Sequence, residues 1–137
     1  MTTGAAIDWT GFERAATGLL AERLGLVVDE QIFRGGVPQG APAGVGVLAN
    51  SLAPVPYYGV ANPTFDVQLL GRFPHRDEAQ ALLSRLYSLN VPRGTAHGGF
   101  RFLEIARTSD IAPYPSDEGG RRCWRVSVHL RIQAVTA

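Results

Sequence analysis

The stretch Cys123-Trp124-Arg125-Val126-Ser127-Val128-His129-Leu130-Arg131-Ile132 alternates side-chain type at every position. Successive side chains of a strand point to opposite faces. Trp124, Val126, Val128, Leu130 and Ile132 therefore share one face, and Cys123, Arg125, Ser127, His129 and Arg131 share the other. The pattern predicts a long strand with one side in a core and the other in solvent. A sheet made of such strands covers only one of its faces with helices, which points to an α+β domain with a predominantly antiparallel sheet.

Moving towards the N-terminus, Pro113, Pro115, Asp117, Gly119 and Gly120 form a turn-rich segment, and Asp117-Glu118-Gly119-Gly120 reads as a hairpin turn. Phe100–Ala106 predicts a strand with Phe100, Phe102 and Glu104 on one face and Arg101, Leu103 and Ile105 on the other. Ahead of it, Ala79, Leu82, Leu83, Leu86 and Leu89 recur at helical spacing, with Asp77 and Glu78 in the first turn, where negative charge offsets the helix dipole. Asn90 to Pro92 ends that helix. Phe65, Val67 and Leu69 alternate with Asp66, Gln68 and Leu70 in a strand opened by Pro63.

Near the start, Trp9, Phe12, Ala16 and Leu20, flanked by Leu19 and Leu24, trace one helical stripe, while Arg14, Gly18 and Glu22 fall on the other side. Asp8 or Thr10 can cap this helix, and Gly25 stops it. Leu26–Phe33 predicts a short or edge strand, interrupted by Asp29, Glu30 and Gln31. Between it and Pro63 runs a Gly/Pro-rich stretch, residues 35–62, in which Val45–Leu48 is the one segment able to pair. A connection of that length in a compact domain is usually either functional or mobile. The sum is a single domain over residues 1–137: four to five strands, two helices on one face, and a long Gly/Pro-rich loop or hairpin.

Composition narrows the function. The 45% hydrophobic and 18% charged fractions are those of an ordinary globular chain. Thirteen basic and twelve acidic residues are interspersed, giving a net charge of +1, so no electrostatic footprint for nucleic acid stands out. Every basic residue is arginine, the mark of a GC-rich genome or of bidentate interface contacts. One cysteine, Cys123, allows no internal disulfide. No run approaches the roughly 18 apolar residues of a membrane span, and residues 1–8 have no leader-like pattern, so a cytosolic setting without membrane contact is expected.

Catalytic and metal chemistry finds no footing in the residues. A thiol activated by imidazole would need Cys123 and His129 in contact, yet on one strand they stand about 20 Å apart at roughly 3.3 Å per residue. Gly40, Gly44 and Gly46 lack the Gly-Lys-Ser/Thr ending of a phosphate loop. Asp117 and Glu118 suit a turn better than acid and base work. No catalytic, cofactor or metal residue is expected, and the chain is read as not an enzyme. Protein contact is the better use of the exposed features. Tyr57 and Tyr58, set between Pro54, Pro56 and Gly59, are candidate anchors, or they fold back over the sheet. Val37 and Pro38 on the long loop, and Arg125, His129 and Arg131 on the polar face of the last strand, complete the candidate interface; the arginines pair with a neighbour's carboxylates or are solvated.

From Phe65 to Ile132 the sequence resembles the tail terminator family of long-tailed bacteriophages, also described as minor capsid or tail completion proteins. The stretches that carry it are Phe65-Asp66-Val67-Gln68-Leu69-Leu70-Gly71-Arg72, the helix from Glu78-Ala79 to Leu86-Tyr87-Ser88-Leu89, and the apolar strand Phe102–Ile105. Pro113-Tyr114 with Asp117-Glu118-Gly119-Gly120-Arg121, leading into Trp124-Arg125-Val126-Ser127-Val128, is the last. Pro115-Ser116 stands where the family commonly has a glycine. The resemblance implies a virion protein assembled in the host cytoplasm as a homohexameric ring on the end of the tail tube. It would stop tube growth, dock the head-tail connector or stopper at the neck, and pass DNA only as cargo through its lumen. The alternatives are another neck or head-completion protein, or a small-molecule-binding α+β module or enzyme with an intersubunit site.

Overall fold

A computed structural model describes residues 8–52, 64–109, 112–118 and 121–137. The chain runs α1 (Trp9–Leu24), β1 (Ile32–Arg34), β2 (Gly44–Leu52), β3 (Thr64–Phe73), α2 (Arg76–Tyr87), β4 (Thr95–His97), β5 (Phe100–Arg107), β6 (Tyr114–Glu118) and β7 (Arg121–Thr136). The fold is α+β as expected, but among the described residues the sheet has seven strands rather than four or five. The additional β4 and β6 arise in segments dominated by turn residues, where pairing with β5 and β7 overrides weak local propensity.

The strands are ordered β1-β2-β3-β7-β5-β4, and β6 also pairs with β7. All pairs are antiparallel except β1–β2, which is parallel. The long strand β7 is the spine. One of its edges pairs with β3 from Gln133 to Trp124. Its other edge is shared end to end, by β5 against residues 130–136 and by β6 against residues 121–125. Between these two, the Thr108 N–H donates to the His129 carbonyl at 2.9 Å and the Ser109 hydroxyl accepts from the His129 N–H at 2.9 Å, so the gap leaves the backbone of His129 satisfied.

Both helices cover the same face. The Asp8 carboxylate caps α1 by accepting from the Gly11 N–H at 2.9 Å, and Gly25 closes it in the left-handed conformation at φ 69°. Phe12 of α1 stacks on Phe65 of β3 with ring centroids 3.7 Å apart and planes 7° from parallel. Ala79, Leu82, Leu83 and Leu86 of α2 join the same core as Val126, Val128, Leu130 and Ile132 of β7. Gly71 on β3 leaves room for its sheet neighbours: a Cβ there would lie 2.9 Å from the Phe73 ring and 3.2 Å from Val126 of β7, with Leu82 of α2 at 3.6 Å.

Three sequence expectations change. Within Leu26–Gln31 a turn follows one isolated bridge from Val28 to Ile32, and the short edge strand is confined to Ile32–Arg34. A register shift between Phe102 and Glu104 turns Glu104 to the solvent face and aligns Ile105 with Ile132, where it packs against the core. One extra residue in a bulge reverses every side chain after it. Gly18, expected on the solvent side of α1, instead faces His97 of β4, with a hypothetical Cβ only 2.7 Å from His97 Nε2.

Candidate assembly surface

The face opposite the helices carries the polar positions of β7, and it is this surface that holds most of the candidate residues. Arg125, Ser127, His129 and Arg131 follow one another along it, opposite Arg72, Leu70, Gln68 and Asp66 of β3. A ladder of side-chain hydrogen bonds crosses three strands: Asn50 Nδ2 donates to Gln68 Oε1 at 2.9 Å, and Gln68 Nε2 donates to Ser127 Oγ at 3.0 Å. Below it, His129 Nδ1 stands 3.4 Å from Asp66 Oδ1. Arg131 reaches across to β5 of its own chain, where Nε and Nη2 donate to Glu104 Oε1 at 3.0 and 2.8 Å. Cross-strand polar pairs of this kind hold register without a covering layer.

The Gly/Pro-rich segment after β1 folds over the upper corner of the same face. Gly35 N–H donates to the Val47 carbonyl at 2.8 Å, and the chain passes so close to β2 that a Cβ on Gly46 would lie 2.8 Å from Gly36 Cα. Arg72 fixes its tip, donating from Nη2 to the Pro38 carbonyl at 3.0 Å and to the Ala41 carbonyl at 2.6 Å. Val37 is half-buried and Pro38 is exposed. Since Arg72 lies directly opposite Arg125, the loop residues Val37 and Pro38 and the strand residue Arg125 meet at one corner. His129 and Arg131 sit lower on the face, with Arg131 about 20 Å from Arg125 by strand rise. Tyr57 and Tyr58 lie outside the described residues.

The outer edge of β2 is closed by α1 rather than left for a neighbour. Beyond the short β1, Glu13 Oε2 accepts from the Ala49 N–H at 2.8 Å and Trp9 Nε1 donates to the Ala49 carbonyl at 2.9 Å. Arg34 lies 3.4 Å from the other oxygen of Glu13. Nothing in the local sequence marks this pairing, because it joins residues 36 and 40 positions apart.

For chemistry, the described residues contain no group of three His, Cys, Asp or Glu able to hold a metal ion. Cys123 is buried and shares a strand with His129, while His97 stands 3.5 Å from Glu22 and His75 occupies the N-cap position of α2.

No family model and no curated protein matches the sequence. Among solved structures, the chain is similar to one from the virion of a native gene transfer agent (GTA) particle. The likeness has a TM-score of 0.57 at 15% identity and covers 93% of this chain and 99% of that one. At this identity what the two share is the fold, over nearly the full length of both.

Proposed function

We propose that this protein is a structural component of a tailed phage or phage-like virion. It assembles as a hexameric ring on the last ring of the tail tube, stops tube growth, and offers its far side to the head-tail connector or stopper. The observation that carries the reading is the end-to-end likeness in fold to a chain of a GTA virion. The resemblance of residues 65–132 to tail terminators supports a position at the neck.

The surface chemistry is compatible with that task. A ring is closed by a heterologous contact, which needs two different patches on each subunit. The polar ladder of the open face and the edges around β6 and β1 provide surfaces of different character. The work is done by association free energy between copies and with the tube, so no substrate bond is broken and no cofactor is needed; DNA crosses the lumen as cargo.

Electron microscopy of the purified protein, alone and mixed with tail tubes, tests the reading. Closed rings that cap tube ends support it. Rings that bind connectors and ignore tubes favour a head-completion role instead, and monomers indifferent to both contradict a neck function.

A further inference from the structure

The turn that follows α1 is a rigid knob at one edge of the molecule. The Val27 carbonyl accepts from the N–H groups of Glu30, Gln31 and Ile32, while the Val27 N–H donates to Gln31 Oε1 at 2.9 Å and the Asp29 N–H to the Ile32 carbonyl at 2.8 Å. Held in this way, Val27 and Val28 are 51% and 44% exposed, and Asp29 and Glu30 are exposed beside them. Valines are usually inside a protein. A turn already fixed by its own hydrogen bonds loses little freedom on binding.

The opposite edge carries a patch of complementary character. Tyr87, at the end of α2, is 76% exposed, and the Arg107 guanidinium of β5 lies 5.7 Å from the centre of its ring. Both line a groove of about 230 Å³ together with Leu86, Leu89 and Ile105. Arg93 stands farther along β5, donating from Nη1 to the Leu103 carbonyl at 3.4 Å. The knob and this patch lie on opposite flanks of α2. Ala81 and Arg85 share a groove with Leu26 and Glu30, whereas Leu83 and Tyr87, two positions on and so about 200° around the helix, line a different one. In the sheet the same separation is β1 against β5 with β2, β3 and β7 between, about 19 Å at roughly 4.8 Å per strand.

We infer that the Val27–Glu30 knob of one copy seats on the Tyr87–Arg107 patch of the next, with a valine side chain in the groove and the carboxylates of Asp29 and Glu30 facing Arg107 and Arg93. The knob cannot reach that patch in its own chain, because α2 stands between them. Charge selects a second copy as the occupant: the knob is apolar and acidic and the patch is aromatic and basic, so like surfaces of two copies repel and unlike ones attract. Two unlike patches on opposite flanks are what a head-to-tail contact needs, and repeating that contact closes a ring when the rotation allows. Tyrosine and arginine together are the usual composition of an interface anchor. The inference rests on the ring reading and names the contact that joins its subunits.

Disulfide trapping between two preparations tests the contact. One carries Val28→Cys and the other Tyr87→Cys, both at exposed positions, and the buried Cys123 is kept, with the unsubstituted protein as background. The wild-type protein is first examined for rings, alone and on tail tubes, and oxidation is run in both conditions. Mild oxidation is expected to cross-link the mixture many-fold more than either preparation alone, and a chain carrying both cysteines is expected to give a ladder of covalent oligomers that ends at the ring. As a second route, Glu30→Arg and Arg107→Glu, both on exposed side chains, each abolish the ring peak in size exclusion, and the double variant restores it. Wild-type rings with no excess cross-link in the mixture and no effect of either charge reversal overturn the knob contact and leave the ring reading standing. Cross-linked chains that lengthen without closing support the contact and overturn the ring. Absence of rings and of cross-links in both conditions overturns both.

Discussion

Arg72 Nη2 on β3 donates a 2.6 Å hydrogen bond to the Ala41 carbonyl, fastening the loop after β1 to the open face of the sheet. The same nitrogen serves the Pro38 carbonyl at 3.0 Å, and hydrogen bonds from a charged donor contribute about 1.5–3 kcal/mol. Arg72→Ala is expected to release the loop, raising amide exchange across residues 36–43 by about tenfold or more. Arg72→Lys restores little, because an ammonium on a flexible stem does not reproduce the guanidinium fork. Unchanged exchange in Arg72→Ala would show that the loop is held by other contacts.

The closure of the β2 edge by α1 leads to a second expectation. Glu13→Leu leaves the Ala49 N–H without its acceptor and should lower the urea-unfolding free energy by about 1–3 kcal/mol, while Glu13→Gln keeps an acceptor oxygen and costs much less. The Trp9→Ala, Glu13→Leu double variant bares an edge that invites strand pairing, so light scattering should rise with concentration. Equal stabilities for the Gln and Leu variants would contradict the assignment.

Phe12 and Phe65 lie stacked at the centre of the core, with 0% and 1% exposure. Phe12→Ala should cost about 3–5 kcal/mol in chemical denaturation. A double-mutant cycle with Phe65→Ala should give a coupling of about 0.5–1.5 kcal/mol; strict additivity would mean that the rings do not interact.

Gly71 lies on β3 where the Phe73 ring and Val126 of β7 crowd the strand. With Phe73 and Val126 already inside contact distance of a Cβ, Gly71→Ala should destabilise by about 1–3 kcal/mol through overpacking. A neutral result in thermal unfolding would show that the Phe73 ring and Val126 give way at no cost.

Periodicity made the two helices, β3 and β7 readable, because each buries one face for its whole length and writes that burial into alternate or every third and fourth residue. It also put Arg125, His129 and Arg131 on one face before any contact was known. The bulge after Phe102 escaped notice because one inserted residue changes the face of Glu104 and Ile105 without changing the local composition. β4 and β6 are short and contain Gly, Pro or Asp neighbours, so their existence depends on β5 and β7 being in place. The pinning of Pro38 and Ala41 by Arg72, and the capping of Ala49 by Trp9 and Glu13, join residues more than thirty positions apart. Short windows of sequence carry no trace of such pairings.

In the proposed function the ring stops a polymer by binding its end. The most direct measurement adds the purified protein to polymerising tail-tube protein and follows tube length by electron microscopy. Arrest is expected once each growing end carries one ring, with added protein found only at tube tips. Tubes that lengthen at the same rate and carry no density at their tips would contradict it.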